Sequence, residues 1–262
     1  MVRSLKQMLE TQELVVGLTV QQITSPWMAK VFADAGADFV FIEGEHGAHD
    51  PSKLADFILT CRLCNMPVVA KCNYLERGSV TRLLDSGVMG IQLPMTESAE
   101  DISRLVDYMK YPPVGSRAFS PGIGNTDYKA IGPAAWCEWI KEMNEETVVI
   151  AHVETRRGLE KIDEILALPE VDVLSIGVFD LMVSLEKPGK LDDPTVLGSI
   201  GRLMEAAQKY GKVVGLWTPS YEAALPLIQK GVRFIETGGE IILLSEASKS
   251  LMSQFPGKGG AQ

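Results

Sequence analysis

Eight short, β-rich apolar runs separated by helically patterned stretches constrain this chain more than any other feature. They cover residues 15–20, 38–43, 67–72, 89–93, 147–153, 171–176, 212–217 and 233–237. Most are near-continuous in hydrophobicity, as strands buried on both faces require. Helical patterning fills the gaps, for example over 54–63, 99–109 and 158–168. Several helices lead into the next strand through a glycine, as in AGAD at 35–38, DSGVMG at 85–90 and KGVRF at 230–234. Glycine there ends the helix in the left-handed conformation and lets the chain turn back. Strand–helix alternation repeated eight times predicts an α/β fold, a single parallel (β/α)8 barrel. The 262 residues match the roughly 250 of such a barrel. An open doubly wound sheet is the alternative, but no GxGxxG turn follows the first run.

The amphipathic start, MVRSLKQMLETQEL, reads as an N-terminal helix, residues 1–255 as the barrel, and 256–262 (PGKGGAQ in its setting) as a disordered tail. From about 111 to 143 the rhythm breaks: the stretch is rich in Pro and Gly and shows no clear strand. An insert of that length in a compact barrel serves function or assembly. The net charge of −9 argues against nucleic acid, whose phosphates need clustered Lys and Arg, and against an anionic membrane surface. No run of 18 apolar residues suggests a membrane span, and the start lacks a signal-peptide core, so a cytoplasmic protein is expected. Cys61 and Cys64 form a CxxC within a helical pattern with no second pair. They are expected to be buried, reduced thiols rather than a metal or redox site.

In a barrel the chemistry sits at the C-terminal ends of the strands. Those ends carry Glu43, Glu45, His46 and His49 after the second run, Lys71 on the third, His152 and Glu154 on the fifth, and Asp180 after the sixth. Trp217 closes the seventh, and Gly238, Gly239 and Glu240 follow the eighth. All three histidines of the chain fall in this set. Glu154 and Asp180 come from adjacent strands, and two facing carboxylates repel unless a cation or shared proton compensates. Hard oxygen donors suit Mg2+, Mn2+ or Ca2+. Helix capping, or pairing with Arg156 and Arg157, is the alternative for these two acids. His46, three residues after Glu43, can form an acid–base dyad with it or simply cap the following helix. Lys71 on a buried strand needs a partner: an anionic substrate, or one of the nearby glutamates.

At these residues the sequence resembles the HpcH/HpaI aldolase family over nearly its whole length. The segments that carry the likeness are DFVFIEGEHGAHD, LLDSGVMGIQLPMTESAED, YPPVGSRA, VVIAHVETRRGLEKIDEILALPEVDVLSIGVFDL and GVRFIETGGEIILL. The resemblance implies divalent-metal-dependent aldol chemistry on a 2-oxo acid such as pyruvate, with an aldehyde as the second substrate. It implies that Glu154 and Asp180 ligate the cation (Mg2+, Mn2+ or Co2+), and that His46 acts as base with Glu43. The substrate carboxylate would rest on backbone amides around Gly177, Val178, Phe179 and Asp180, an anion at a helix N-terminus. Lys71 would face the developing enolate oxygen, and His152 and Trp217 would line the substrate.

The chain departs from the family pattern around the pocket. Glu43 replaces the usual Asp, Lys71 an Arg, and His152 a Gln, and the usual GPxDLS reads Gly177, Val178, Phe179, Asp180, Leu181, Met182. Lysine keeps the charge of arginine but loses its planar fork. The expected function is a class II carbon–carbon lyase with a substrate different from that of typical members. The alternatives are a citrate-synthase-like condensing enzyme, a CoA-thioester lyase, a Schiff-base enzyme using Lys71, and a catalytically degenerate 2-oxo-acid-binding barrel. The family resemblance further implies a homo-oligomer, a hexamer built as a trimer of dimers, with the last helix, around 241–254, exchanged between subunits.

Overall fold

The computed structural model describes residues 2–258. Helix α1 (Leu5–Thr11) leads into β1 (Val15–Val20), α2 (Pro26–Asp34), β2 (Phe39–Ile42), α3 (Pro51–Leu63), β3 (Val68–Lys71), α4 (Arg77–Asp85) and β4 (Gly90–Leu93). Then come α5 (Ala99–Met109), α6 (Trp136–Glu146), β5 (Val148–Val153), α7 (Arg156–Glu160), α8 (Ile162–Leu166) and β6 (Val173–Ile176). The chain finishes with α9 (Val178–Ser184), α10 (Pro194–Lys209), β7 (Val213–Thr218), α11 (Tyr221–Ile228), β8 (Val232–Thr237) and α12 (Glu240–Ser253). Each strand pairs in parallel with the next, and β8 pairs in parallel with β1, so the sheet closes into the expected barrel.

The two-residue period of the strands sorts the apolar side chains into two cores. Val15, Phe39, Phe41, Val69, Val148, Ile150, Val173 and Phe234 point inward and meet Leu5, Met8 and Leu9 of α1. The N-terminal helix therefore plugs the barrel at the N-terminal ends of its strands. Arg233 of β8 fixes that plug by donating to the carbonyls of Leu9 and Gln12. The stacked rings of Phe39 and Phe234, 4.5 Å apart, fill the centre, and burial of each such ring stabilises by about 2–3 kcal/mol. Gly17 makes room for them: a Cβ there would lie 2.4 Å from the Phe39 ring. The alternate residues of the same strands, such as Val40, Ile42, Val68 and Ala70, pack outward on the helices.

Two sequence expectations need correction. The stretch 111–143 forms no strand among the described residues, but it is not without structure. It carries two 3-10 turns, Gly124–Thr126 and Pro133–Ala135, and its end is the start of α6. Tyr111, Phe119, Trp136 and Trp139 pack on one another there. The buried Lys110 ammonium ties the stretch down by donating to the Asn144 and Thr147 carbonyls. The single helix expected over 158–168 is two, α7 and α8, parted at Lys161, whose φ of −99° and ψ of 8° interrupt the ladder. Of the tail expected to be disordered, 256 and 257 form a turn and 259–262 lie outside the described residues.

At the other end of the barrel α12 begins with a carboxylate rather than a capping side chain. Glu240 accepts from the amides of Gln21, Gln22 and Ile23 at 2.9, 2.5 and 2.8 Å. These charge-assisted bonds clamp the loop after β1 to the start of α12, on the rim where a site would be built. The four cysteines are free; of the CxxC pair expected to be buried, Cys61 is but Cys64 is only half-buried, and burial pushes the buried Cys72 thiol up to about 12.

Candidate active site

Along each inward-facing row the side chains change character toward the C-terminal end. Phe41 is followed by Glu43, Val69 by Lys71, Ile150 by His152, Val173 by Ser175 and Phe234 by Glu236. Thr19 of β1 and Gln92 of β4 complete the layer, and all seven are buried. The inside of the barrel is therefore apolar below and polar above. Buried polar groups are expensive without partners, so the contacts within this layer define what the site can do.

Lys71, the last residue of β3, is the cation of the layer. Its Nζ lies 2.9 Å from Glu45 Oε2 and 3.5 Å from Glu43 Oε2. Burial alone would lower its pKa, but Glu43, Glu45 and Glu154 outweigh burial and hold it above the ordinary lysine value. The side chain is thus an ammonium, not a free amine. Glu43 also accepts from the amides of Glu45 and His46 at 2.8 and 3.2 Å. Here the expected dyad is corrected. Glu43 grips the backbone of the His46 turn, not its ring. The imidazole is exposed (72%) and stands 3.8 Å from Glu45. The ring that reaches Glu43 is His49, 2.9 Å from its carbonyl. The turn closes on glycine at both ends: a Cβ at Gly44 would lie 2.1 Å from the Lys71 carbonyl, and one at Gly47 2.3 Å from that of Glu43.

Glu154 stands immediately after β5 and is almost fully buried. Its Oε1 accepts from the Met95 amide at 2.7 Å, and its Oε2 lies 2.9 Å from His152 Nε2. Burial pushes its pKa up, yet His152, the Met95 amide and Lys71 outweigh burial and leave it below the usual carboxylate range. Met95 delivers its amide from a left-handed conformation, φ 50°, which costs a non-glycine residue about 1–2 kcal/mol. Arg157 pairs with Glu97 at 3.5 Å, so the alternative of an arginine partner is not what occupies Glu154. Gly177, between β6 and α9, presses its backbone onto this carboxylate. A Cβ there would lie 2.6 Å from Glu154 Oε2 and 2.7 Å from His152 Nε2. The Gly177 amide itself is taken by the Val153 carbonyl at 3.1 Å, so the residue contributes closeness rather than a donor. Val178, Phe179 and Asp180 form the first turn of α9, which no side chain caps.

Asp180 is exposed on that turn, three residues beyond the glycine that touches Glu154. Among the described residues no three or more His, Cys, Asp and Glu gather as a complete metal cage. The donor chemistry fits a partial site: one buried and one exposed carboxylate, both hard oxygen donors, beside a backbone kept free of a Cβ. Phe179 and Trp217 meet at 5.9 Å on the lip, and Trp217 Nε1 donates to the Gly238 carbonyl at 3.2 Å.

Gln92, Ser175 and Glu236 escaped the reading of strand ends because each sits inside a strand. The signal was present: each is the one polar residue in its strand's buried run, GIQL, VLSI and FIE, at the inward register. Gln92 Nε2 donates to Glu236 Oε1 at 2.6 Å and to Ser175 Oγ at 3.1 Å. Ser175 Oγ in turn lies 2.9 Å from His152 Nδ1.

A family model described as HpcH/HpaI aldolase/citrate lyase matches residues 21–247. A hydroxypyruvate/pyruvate aldolase from Chromohalobacter salexigens is 31% identical over 232 residues, 88% of this chain and 89% of that protein. The crystal structure of an HpcH/HpaI aldolase from Desulfitobacterium hafniense superposes with a TM-score of 0.90 at 27% identity, covering 98% of this chain and 99% of the other. The citrate synthase SbnG superposes with a TM-score of 0.84 at 26% identity, covering 96% of this chain and 97% of that one.

Proposed function

The chain belongs to the HpcH/HpaI aldolase/citrate lyase family, and on that premise we propose that it is a divalent-metal-dependent aldolase that makes or cleaves a carbon–carbon bond next to a 2-oxo acid. The observation that carries this reading is the buried, ionised Glu154 at the mouth, pressed by the Gly177 turn and flanked by the Lys71 ammonium. Glu154 and Asp180 are the residues that would hold Mg2+, Mn2+ or Co2+, which when bound supplies Lewis-acid polarisation of the substrate's keto group.

The protein's own groups do the rest. The uncapped amides of Val178, Phe179 and Asp180 offer donors to the substrate carboxylate. Lys71 sets a positive charge beside the oxygen on which negative charge develops, and its fixed position means no reorganisation is needed at that moment. His46 is free on the lip to take or return a proton, with Glu45 rather than Glu43 as its side-chain neighbour. His152 holds Glu154, and Phe179 with Trp217 walls the side where the aldehyde enters. A lysine kept as an ammonium is a poor Schiff-base nucleophile, which disfavours the Lys71 imine alternative.

The likeness to the citrate synthase SbnG supports a second reading, a citrate-synthase-like condensation in which the enolate of an acetyl thioester adds to a 2-oxo acid. Pyruvate offered with a panel of aldehydes, and acetyl-CoA offered with 2-oxo acids, each with and without EDTA, separates the two. The proposal expects EDTA-sensitive turnover with an aldehyde and no borohydride-trapped adduct. A covalent pyruvate adduct, or EDTA-resistant turnover, would overturn it. We further propose a homo-oligomer, a hexamer as the family resemblance implies; the exposed Ile241, Ile242, Leu243, Leu244 and Leu251 of the last helix offer an apolar face for such contacts.

A further inference from the structure

Beneath the catalytic mouth the buried polar groups form a chain with a direction. Gln92 spends both amide hydrogens, one on Glu236 Oε1 at 2.6 Å and one on Ser175 Oγ at 3.1 Å. With one lone pair of Ser175 occupied by that N–H, its own hydroxyl hydrogen is free for His152 Nδ1, 2.9 Å away. His152 then presents Nε2–H to Glu154 Oε2 at 2.9 Å. Donors and acceptors alternate without conflict from β8 through β4, β6 and β5 to the carboxylate at the mouth. The orientation of Gln92 leaves its Oε1 buried with no partner, a costly arrangement. What holds it is Glu236: turning the amide over would set oxygen against carboxylate oxygen at hydrogen-bond distance.

We propose that Glu236 is a positioning residue: by fixing the Gln92 amide it makes Ser175 hold the His152 ring, and so sets the ring against Glu154. Glu236 lies on β8, across the barrel from β4, and touches neither Glu154 nor His152 by hydrogen bond. As a carboxylate Glu236 can only accept, and in that form it sets the orientation of the Gln92 amide; a neutral carboxyl could instead donate its O–H to the turned-over amide oxygen. Nothing else in the layer replaces it, since Thr19 Oγ1 is also without a partner and Lys71 is committed to Glu43 and Glu45. The role rests on the aldolase reading only in that Glu154 matters to the chemistry; the hydrogen-bond chain itself does not.

The test is the 15N signature of the His152 ring in the full-length protein, assigned by its loss in His152→Gln. Glu236→Met keeps the size and removes the acceptor, and Gln92→Met cuts the chain one link nearer. The expected result is a displaced His152 Nδ1 resonance in Glu236→Met and Gln92→Met, and no further displacement in the Glu236→Met, Gln92→Met double variant. In turnover of pyruvate with an aldehyde, the same variants should lower kcat about tenfold with KM little changed. Folded Glu236→Met with an unmoved His152 signature would overturn the proposal, as would additive displacements in the double variant. If Glu236→Met does not fold, Gln92→Met alone decides by the same signature. A moved signature with no aldol turnover in the parent protein would fault the aldolase reading and leave the positioning role standing.

Discussion

Lys71 shows how far a residue can be understood from its neighbours. A buried lysine is expected to lose its proton, but three carboxylates around this one reverse the balance. Its charge is the feature the proposed chemistry uses, so Lys71→Met should lower turnover about 10²–10³-fold, the usual loss when one donor to a developing oxyanion is removed. Lys71→Arg should recover part of it, and steady-state kinetics of the two variants checks both. Glu236 is the opposite case. Burial is the largest influence on it and outweighs His152, Lys71 and Gln92, raising the carboxyl to about 7. A carboxyl whose folded pKa lies above its unfolded value binds more protons folded than unfolded, so stability falls as pH rises between about 4.5 and 7. The loss is of order 3 kcal/mol at most. Urea unfolding at the two ends of that range should show it, and Glu236→Gln should flatten the dependence.

At the scale of elements, the strands were legible because burial on both faces writes itself as an apolar run, and every strand end falls within two residues of its expectation. Glu43, Lys71, His152 and Glu154 were legible because a barrel collects its strand ends, and all four are buried there, whereas Asp180 stands exposed on the first turn of α9. Their pairing was not legible. The three-residue spacing of Glu43 and His46 suggests side chains in contact, yet the tight Gly44 and Gly47 turn spends the carboxylate on backbone amides. The division of the expected helix at Lys161 was likewise invisible in its apolar periodicity. Most consequential is the turn between β6 and α9, where the missing Cβ of Gly177 rather than any donor lets the backbone close onto Glu154 and His152. Gly177→Ala should cost about 1–3 kcal/mol through overpacking and displace Glu154 or His152. Denaturant unfolding reads the first effect and the affinity for Mn2+ the second, which should fall by about tenfold or more.

At the scale of the whole molecule, two ends of one barrel do different work. The N-terminal end is sealed by α1 with apolar contacts, and a cavity of about 480 Å3 beside it, lined by Arg62, Arg117 and Trp139 among others, takes no part in the mouth. The C-terminal end carries the polar layer and the clamp of Glu240 on the loop after β1. No helix among the described residues is long and apolar enough to cross a membrane. The last helix, α12, leaves Leu244 60% and Leu251 56% exposed. Under the assembly proposed above, light scattering should give the mass of a hexamer, and a monomeric mass would refute that proposal. The central claim is that Glu154 and Asp180 hold a divalent cation that labilises a 2-oxo acid. Exchange of the pyruvate C3 protons in deuterated water, followed by NMR with Mg2+, Mn2+ or Co2+, tests it without knowledge of the acceptor. The account predicts exchange that stops with EDTA and in Glu154→Gln; exchange that persists in both, or no exchange with any of the three metals, would contradict it.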